Sequence, residues 1–422
     1  MIDATALHSA VAAKGDLLST LRMSTAGESH GPAEVCVLEG MPAALSLTRW
    51  DIDHYLRRRQ GGYGRGGRMA IESDRCRFLA GVRHGRTLGS PICVIVENSD
   101  HANWTSAMSS DPPVDSAATA GRGTRVTVPR PGHADLAGAA KFGHDDIRDV
   151  LERASARETV ARVAAGAICK RLLQEASVAV RARVLRIGAV CRAESENLSD
   201  PYGIDWEAAE DSPVGCDDPT TGEAMCRAID GAAAAGESLG GVFEVWCWGV
   251  VPGVGSYGSL DMRLDGRLLG ALGGIPAIKA VEIGSALMNA GRPGSEVHDA
   301  LVPAQHGGKQ FISRAPNRAG GLEGGVSNGM PLVLRAFMKP IPTLTSPLPS
   351  VDLRTMHAVT AHVERSDVCA VPAARVVGEA MVAFVVASAY LDKFGGDSLG
   401  QFLGSLGAYE ASLEERGLWR RS

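Results

Sequence analysis

The stretch PAARVVGEAMVAFVVASAYLDKF, residues 372–394, constrains the fold more than any other. It is apolar on nearly every side and opens on Pro372, a residue suited to the first helical position. A helix of this kind needs cover all round, so it belongs in the middle of the molecule. Its uncharged run from Ala380 to Leu391 is twelve residues long, against the ~20 that a membrane span requires. It reads as a buried core helix. A second helical signal, DDIRDVLERASARETVARVAAGAICKRLLQEA at 145–176, carries Val160, Val163, Ala164, Ala167, Ile168 and Leu172 at intervals of three and four. Its alanines and Gly166 would let another element pack very close.

The segment LTRWDIDHYLRRRQ (47–60) has the spacing of an amphipathic helix, with Trp50, Ile52, His54, Tyr55 and Leu56 able to share one side. Short β-branched runs ended by turn residues predict strands at 33–42 and 90–98, and further runs predict strands at 240–252 and 331–340. Strands and helices are mixed in order rather than alternating. That favours an α+β fold over a doubly wound parallel sheet. Residues 1–20 read as a polar extension without the charged and apolar regions of a secretory signal, and 105–126 as a mobile loop.

A net charge of -5 gives no general attraction to nucleic acid or to an anionic membrane. Nine scattered cysteines without a C-x-x-C pair argue for reduced thiols in a cytoplasmic compartment, not for a disulfide frame or a zinc site.

Four segments combine glycine, arginine, histidine and carboxylate in ways a core does not need. STAGESHGP (24–32) sets Ser29 and His30 between glycines, and RRRQGGYGRGGR (57–68) interleaves Arg57, Arg58, Arg59, Arg65 and Arg68 with glycine. Such a loop lets guanidinium groups converge on phosphate or carboxylate. RPGHADLAGAAKFGHDD (130–146), taken with LERASARET, holds His133 in a Pro-Gly turn, where it can be a proton-transfer group, a metal ligand or an ordinary turn histidine. ERSDVCAVPAA (364–374) sets Asp367 beside Arg365, whose charge is expected to keep the carboxylate ionised. Two weaker patterns compete. GVGSYG (253–258) has dinucleotide-loop spacing, but Asp261 and Asp265 would oppose a pyrophosphate there. His133, Asp135, His144 and Asp145 could be gathered around a metal, without ligand spacing to support it.

STAGESHGP, RRRQGGYGRGGRM, AGVRHGRTLGSPI, RPGHAD, VLERASARETVARVAAGAI, NRAGGLEGGVSNGMPL, MKPIPTL and RSDVCAVPAA together resemble the chorismate synthase family, in the same order from Leu21 to Leu406. The resemblance implies one catalytic domain over 21–406, with a tail at 407–422, built as a β-α-β sandwich of long helices between antiparallel sheets and assembled as a homotetramer. It implies loss of phosphate from 5-enolpyruvylshikimate 3-phosphate to give chorismate, with reduced FMN required but not consumed, and leaves room for NADPH as the reductant of the flavin. By resemblance His30 protonates the departing phosphate with Ser29 as relay, and His133 protonates the reduced flavin. Asp367, assisted by Ser155, helps the flavin accept the substrate hydrogen. Arg153, Ala154, Ser155, Gly324, Lys339, Pro340, Ile341, Pro342, Thr343 and Arg365 match its flavin segments, and Arg59 and Arg65 a nicotinamide-nucleotide pair also expected near the substrate.

Departures from the family pattern cluster in IPAIKAVEIGSAL (275–287). Pro276, beside Ala277 in the flavin segment, stands where the family has an amide side chain, and removes a backbone donor as well. Ala280, Ser285, Leu287, Leu136 and Glu237 also depart. They keep two alternatives open: a divergent relative acting on a related enolpyruvyl phosphate in specialised metabolism, or a non-catalytic flavin-binding relative.

Overall fold

Cys36 and Leu38 are buried between part-exposed neighbours along the second strand, the period of two of a half-buried sheet. The computed structural model describes residues 20–66, 73–112, 121–193, 195, 197–364 and 366–421. Most of the expected N-terminal extension, residues 113–120 of the expected loop, Arg68 and Arg365 therefore lie outside the described residues. In chain order the main elements are β1 (Arg22–Ala26), β2 (Ala33–Glu39), α1 (Arg49–Gln60), β3 (Cys76–Ala80), β4 (Ile92–Glu97), α2 (Asp135–Phe142), α3 (Thr159–Glu175), β5 (Ala179–Ile187) and β6 (Val190–Cys191). They continue with α4 (Pro219–Ala234), β7 (Gly241–Trp248), α5 (Leu264–Gly273), β8 (Ile278–Ile283), β9 (Leu332–Met338), α6 (Val371–Phe394) and α7 (Leu399–Glu415).

These strands form the two larger antiparallel sheets among the described residues, of order β1-β2-β4-β3 and β8-β9-β7-β5-β6. The fold is mixed α+β. Helix α3 packs on β1, β2 and β4 of the first sheet, α6 packs on β5 and β7 of the second, and the two helices pack on each other. Their approach is as close as the small residues of α3 suggest: a Cβ on Gly166 would collide with Ala380. By length and composition α6 could cross a membrane, but almost all of it is buried inside the protein. Of its four charged residues, Arg375, Glu379, Asp392 and Lys393, the most deeply buried is Glu379, and it is compensated. Burial alone would raise the Glu379 carboxyl, but Arg58 and Lys170 bring it down to about 2.

Two sequence expectations are corrected. The buried face of α1 is Ile52, Asp53, Leu56 and Arg59, not the side bearing Trp50, which is 58% exposed with the Arg49 guanidinium over its ring. The 145–176 signal is not one helix. A short helix, Arg148–Leu151, ends before Ser155, whose extended backbone and side chain cap the next turn by accepting from the Arg157 N–H at 3.3 Å. GVGSYG, disfavoured from its sequence as a dinucleotide loop, indeed joins no parallel crossover, because β7 pairs antiparallel with both neighbours. The expected domain end at Leu406 falls inside α7, which runs on to bury Leu413.

Candidate active site

The break before α3 builds the first part of the site. Ser29 and His30 follow β1 in a turn that meets this break. The Ser29 N–H donates to the Glu152 carbonyl at 2.9 Å, and the Ser155 hydroxyl donates to Ser29 Oγ at 3.1 Å. The Glu152 carboxylate accepts from the His30 backbone N–H at 2.8 Å and from Nδ1 at 2.9 Å. Arg148 donates to the same carboxylate at 3.3 Å. The imidazole stacks on Trp104 at 4.0 Å between ring centroids, and Arg148 covers that indole at 5.1 Å. The carboxylate on Nδ1 fixes the tautomer and the orientation of the ring. Glu152, Arg148 and Trp104 escape sequence reasoning. The available signal is the ERAS tetrapeptide, in which a capping serine interrupts an otherwise helical pattern.

A second histidine is held the same way. His133 Nδ1 lies 2.5 Å from Asp135 Oδ1 and 3.0 Å from Arg130 Nη2. A guanidinium can only donate and a carboxylate only accept, so the shorter contact to Asp135 claims the Nδ1 proton. Arg130 grips Asp135 through its backbone N–H and Nε, each at 2.9 Å. Burial would raise the Asp135 carboxyl, but hydrogen bonds from His133 and Arg130, with the arginine charge, hold it well below the usual carboxylate range. Arg130 also donates to the Thr343 hydroxyl at 3.1 Å, and Lys339 donates to the Gly132 carbonyl, so the 339–343 segment sits against the His133 turn. Burial, with Lys279 nearby, lowers the Lys339 ammonium from its usual range. The Ile341 carbonyl accepts from Ser238 at 2.6 Å, and Pro342 faces the open side of Gly132.

Asp367 forms the third part. It accepts from Arg65 Nη1 at 2.6 Å and from the Gly66 N–H at 2.7 Å, so the cation seated on it is Arg65, while the expected partner Arg365 lies outside the described residues. Arg59 is only 4% exposed and is bonded inward, to Thr159 Oγ1 and the Ala156 carbonyl, each at 2.9 Å. Burial, together with Arg157 and Arg65, lowers its guanidinium to about 10 against the pull of Asp74 and Asp367. Arg59 therefore anchors the start of α3 and offers a ligand little surface.

The three parts adjoin. Arg59 touches the Ser155 turn and senses Arg65 and Asp367, while Glu364 senses both Arg148 and Arg130. Glu364 accepts from His362 at 2.9 Å, which with burial opposing holds its carboxyl below the usual range. A cleft of about 820 Å³ opens on the His30 side, lined by Glu28, His101, His144, Arg148 and Glu152 among others. Arg153 bonds Thr25 Oγ1 at 2.8 Å and the Gly27 carbonyl at 3.2 Å, with Ala154 between it and Ser155. The Ala277 carbonyl, at a positive φ of 69° after Pro276, accepts from the Lys339 N–H at 3.0 Å. Gly324 is set apart in a small hairpin near Tyr257. His144 lies 3.7 Å from Asp149, on a different carboxylate from His133.

Residues 21–391 match the chorismate synthase family. The chain is 54% identical over 384 residues to the chorismate synthase of Desulforudis audaxviator, covering 91% of this chain and 95% of that protein. It is also 54% identical over 398 residues to that of Moorella thermoacetica, covering 94% and 100%. A crystal structure of a chorismate synthase superposes with a TM-score of 0.74 at 38% identity, over 94% of this chain and 98% of the other. Neither a specialised relative nor a non-catalytic one is favoured by such matches, and the chain belongs to the chorismate synthase family.

Proposed function

We infer that the chain is a phosphate lyase that converts 5-enolpyruvylshikimate 3-phosphate to chorismate and inorganic phosphate, on the shikimate path to the aromatic amino acids. Family membership over nearly the whole chain is the observation that carries this reading. The reaction is a 1,4-elimination. The bond from ring carbon to phosphate oxygen breaks, a hydrogen leaves across the ring, and a new double bond forms without net redox change.

The side chains suit those needs. Glu152 takes the His30 Nδ1–H, aims Nε2 away from itself, and compensates the charge when Nε2 carries a proton for the departing phosphate. Ser29, which accepts from the Ser155 hydroxyl, can relay that proton, and Ser155 keeps its role as the assistant of Asp367. His133, fixed by Asp135, holds a second proton at its own Nε2. Asp367 is immobilised through both oxygens as the carboxylate for the ring hydrogen.

The residues present fit a phosphorylated flavin. Arg153, Lys339 and Thr343 offer cationic and hydroxyl donors, and a Cβ on Gly324 would meet nothing nearer than Tyr257 Cβ at 4.0 Å, which leaves backbone approach clear. We assign its holding to these residues with Ala154, Ser155, Pro276, Ala277, Pro340, Ile341, Pro342 and Arg365. Reduced FMN, when bound, supplies electron density that assists the elimination and is recovered unchanged. We also read the layers as a helix-filled sandwich, the protein as cytoplasmic, and the assembly as a homotetramer. The exposed Tyr257, Leu260 and Leu287 offer apolar contact for assembly.

An anaerobic assay with 5-enolpyruvylshikimate 3-phosphate and photoreduced FMN tests the function. Phosphate and chorismate should appear in equal amounts while the flavin stays reduced. Equal turnover without flavin, or one flavin oxidised per turnover, would contradict it. Turnover with NADPH and oxidised FMN would add flavin reduction to the activity.

A further inference from the structure

Glu34 lies at the start of β2, on the inward face with Cys36 and Leu38, and is 1% exposed. Neither of its carboxylate oxygens has a hydrogen-bond partner among the described residues. Native interiors rarely leave a carboxylate so, because an unpaired buried charge is among the costliest arrangements a protein can hold. The space around it is tight: a Cβ on Gly27 would come within 2.6 Å of Glu34 Oε2.

The charged groups that face Glu34 are Arg153, Arg157 and Glu158 from the segment entering α3, and Arg59 from α1. The residue opposite on β4 is Val96, which carries no charge. All four ions have other partners. Arg157 donates to Asn98 and Asp74 at 2.7 Å each, Glu158 accepts from Arg162 at 3.0 Å, and Arg59 is bonded to Thr159 and the Ala156 carbonyl at 2.9 Å each. Arg153 bonds Thr25 Oγ1 and the Gly27 carbonyl, and differs in its exposure. Its Nη1 stops 3.9 Å from Glu34 Oε2, too far for a hydrogen bond, and its side chain is 42% exposed.

We propose that Glu34 is a proton-holding group that couples anion binding at Arg153 to pH, so that a phosphomonoester arriving at Arg153 is taken up together with a proton on Glu34. An ionised Glu34 competes with the ligand for Arg153 and repels it across a weakly screened interior. A neutral Glu34 does neither. The proton comes from solvent, and no covalent bond changes. Burial pushes the Glu34 carboxyl up to about 7, with the arginines opposing, so the switch operates around neutral pH. The coupling rests on reading Arg153 as an anion contact.

The test titrates oxidised FMN into the ligand-free wild-type chain, Glu34→Gln and Arg153→Ala, below and above neutral pH. Calorimetry in buffers of different ionisation enthalpy counts the protons. Wild-type affinity should fall with rising pH more steeply than that of Glu34→Gln, by up to about tenfold per pH unit, with greater proton uptake. The second ionisation of FMN is common to all chains and cancels in the comparison. Parallel pH curves and equal proton uptake overturn the proposal. Equal binding by Arg153→Ala overturns the anion contact beneath it.

Melting temperature separates the two failures, because it reads Glu34 without ligand. The folded carboxyl is raised from 4.5 to about 7, so its stabilising contribution is full below 4.5 and lost as pH rises through 7. The wild type should therefore lose melting temperature relative to Glu34→Gln across that window. A constant difference overturns the protonation itself. Glu34→Leu serves as the second variant if the glutamine chain does not fold.

Discussion

His30 and His133 are held by the same device reached in two different ways. Each gives Nδ1 to a buried carboxylate that is gripped in turn by an arginine, Glu152 with Arg148 in one case and Asp135 with Arg130 in the other. The His133 unit is local, since Arg130, His133 and Asp135 fall within six residues and Asp135 opens α2. In the His30 unit the carboxylate is 122 residues away and arrives only because the chain breaks at Glu152–Ser155. A locally closed unit can keep its geometry when distant packing loosens. A unit closed by tertiary structure cannot, and it ties proton delivery to the folding of α3 against the first sheet.

The comparison can be broken at several points. The largest effect is expected from His30→Ala, which removes the acid for the departing phosphate and should cost about 10²–10⁴-fold in turnover, measured as anaerobic phosphate release. His133→Ala should leave flavin binding intact and fall in the same range, whereas near-normal turnover would remove it from the chemistry. Glu152→Gln keeps the shape but loses the anion. A charge-assisted hydrogen bond is worth about 1.5–3 kcal/mol, so turnover should fall roughly ten- to a hundredfold. The pH–rate profile should move with it, which a purely structural loss would not produce.

Asp135→Asn sharpens the contrast through stability. The folded Asp135 carboxyl is depressed, so its contribution is present above the ordinary carboxyl value and is lost as pH falls below it. The variant should melt below the wild type at neutral pH, and the gap should close in acid. A gap independent of pH would show that the Asp135 charge contributes nothing to stability. The smallest effect is expected at Pro276→Asn, which restores an amide beside the flavin segment. One recovered hydrogen bond is worth about 0.5–1.5 kcal/mol, so oxidised FMN should bind roughly two- to tenfold tighter. Equal or weaker binding would mean that the turn has adapted to proline.

The same contrast explains what the sequence could reveal. The core role of α6 and the close approach at Gly166 are written in local periodicity and residue size, and both are legible. His133 and Asp135 are legible as a pair because they share a motif. Glu152 is not, since nothing near it names a partner 122 residues away, and its stretch reads as unbroken helix until Ser155 turns the chain. The buried face of α1 is misread for a related reason. Asp53 is drawn inward by the Cys76 N–H at 2.8 Å, and Arg59 by Thr159, partners that no helical period predicts.

The claim common to both units is that each histidine carries its proton on Nδ1 and works through Nε2. Nitrogen-15 NMR of labelled histidine, assigned with His30→Ala and His133→Ala, reads this directly. In their neutral forms both rings should show a protonated Nδ1 and a bare Nε2, and Glu152→Gln should change the His30 signal alone. A neutral His30 or His133 protonated at Nε2 would contradict the account.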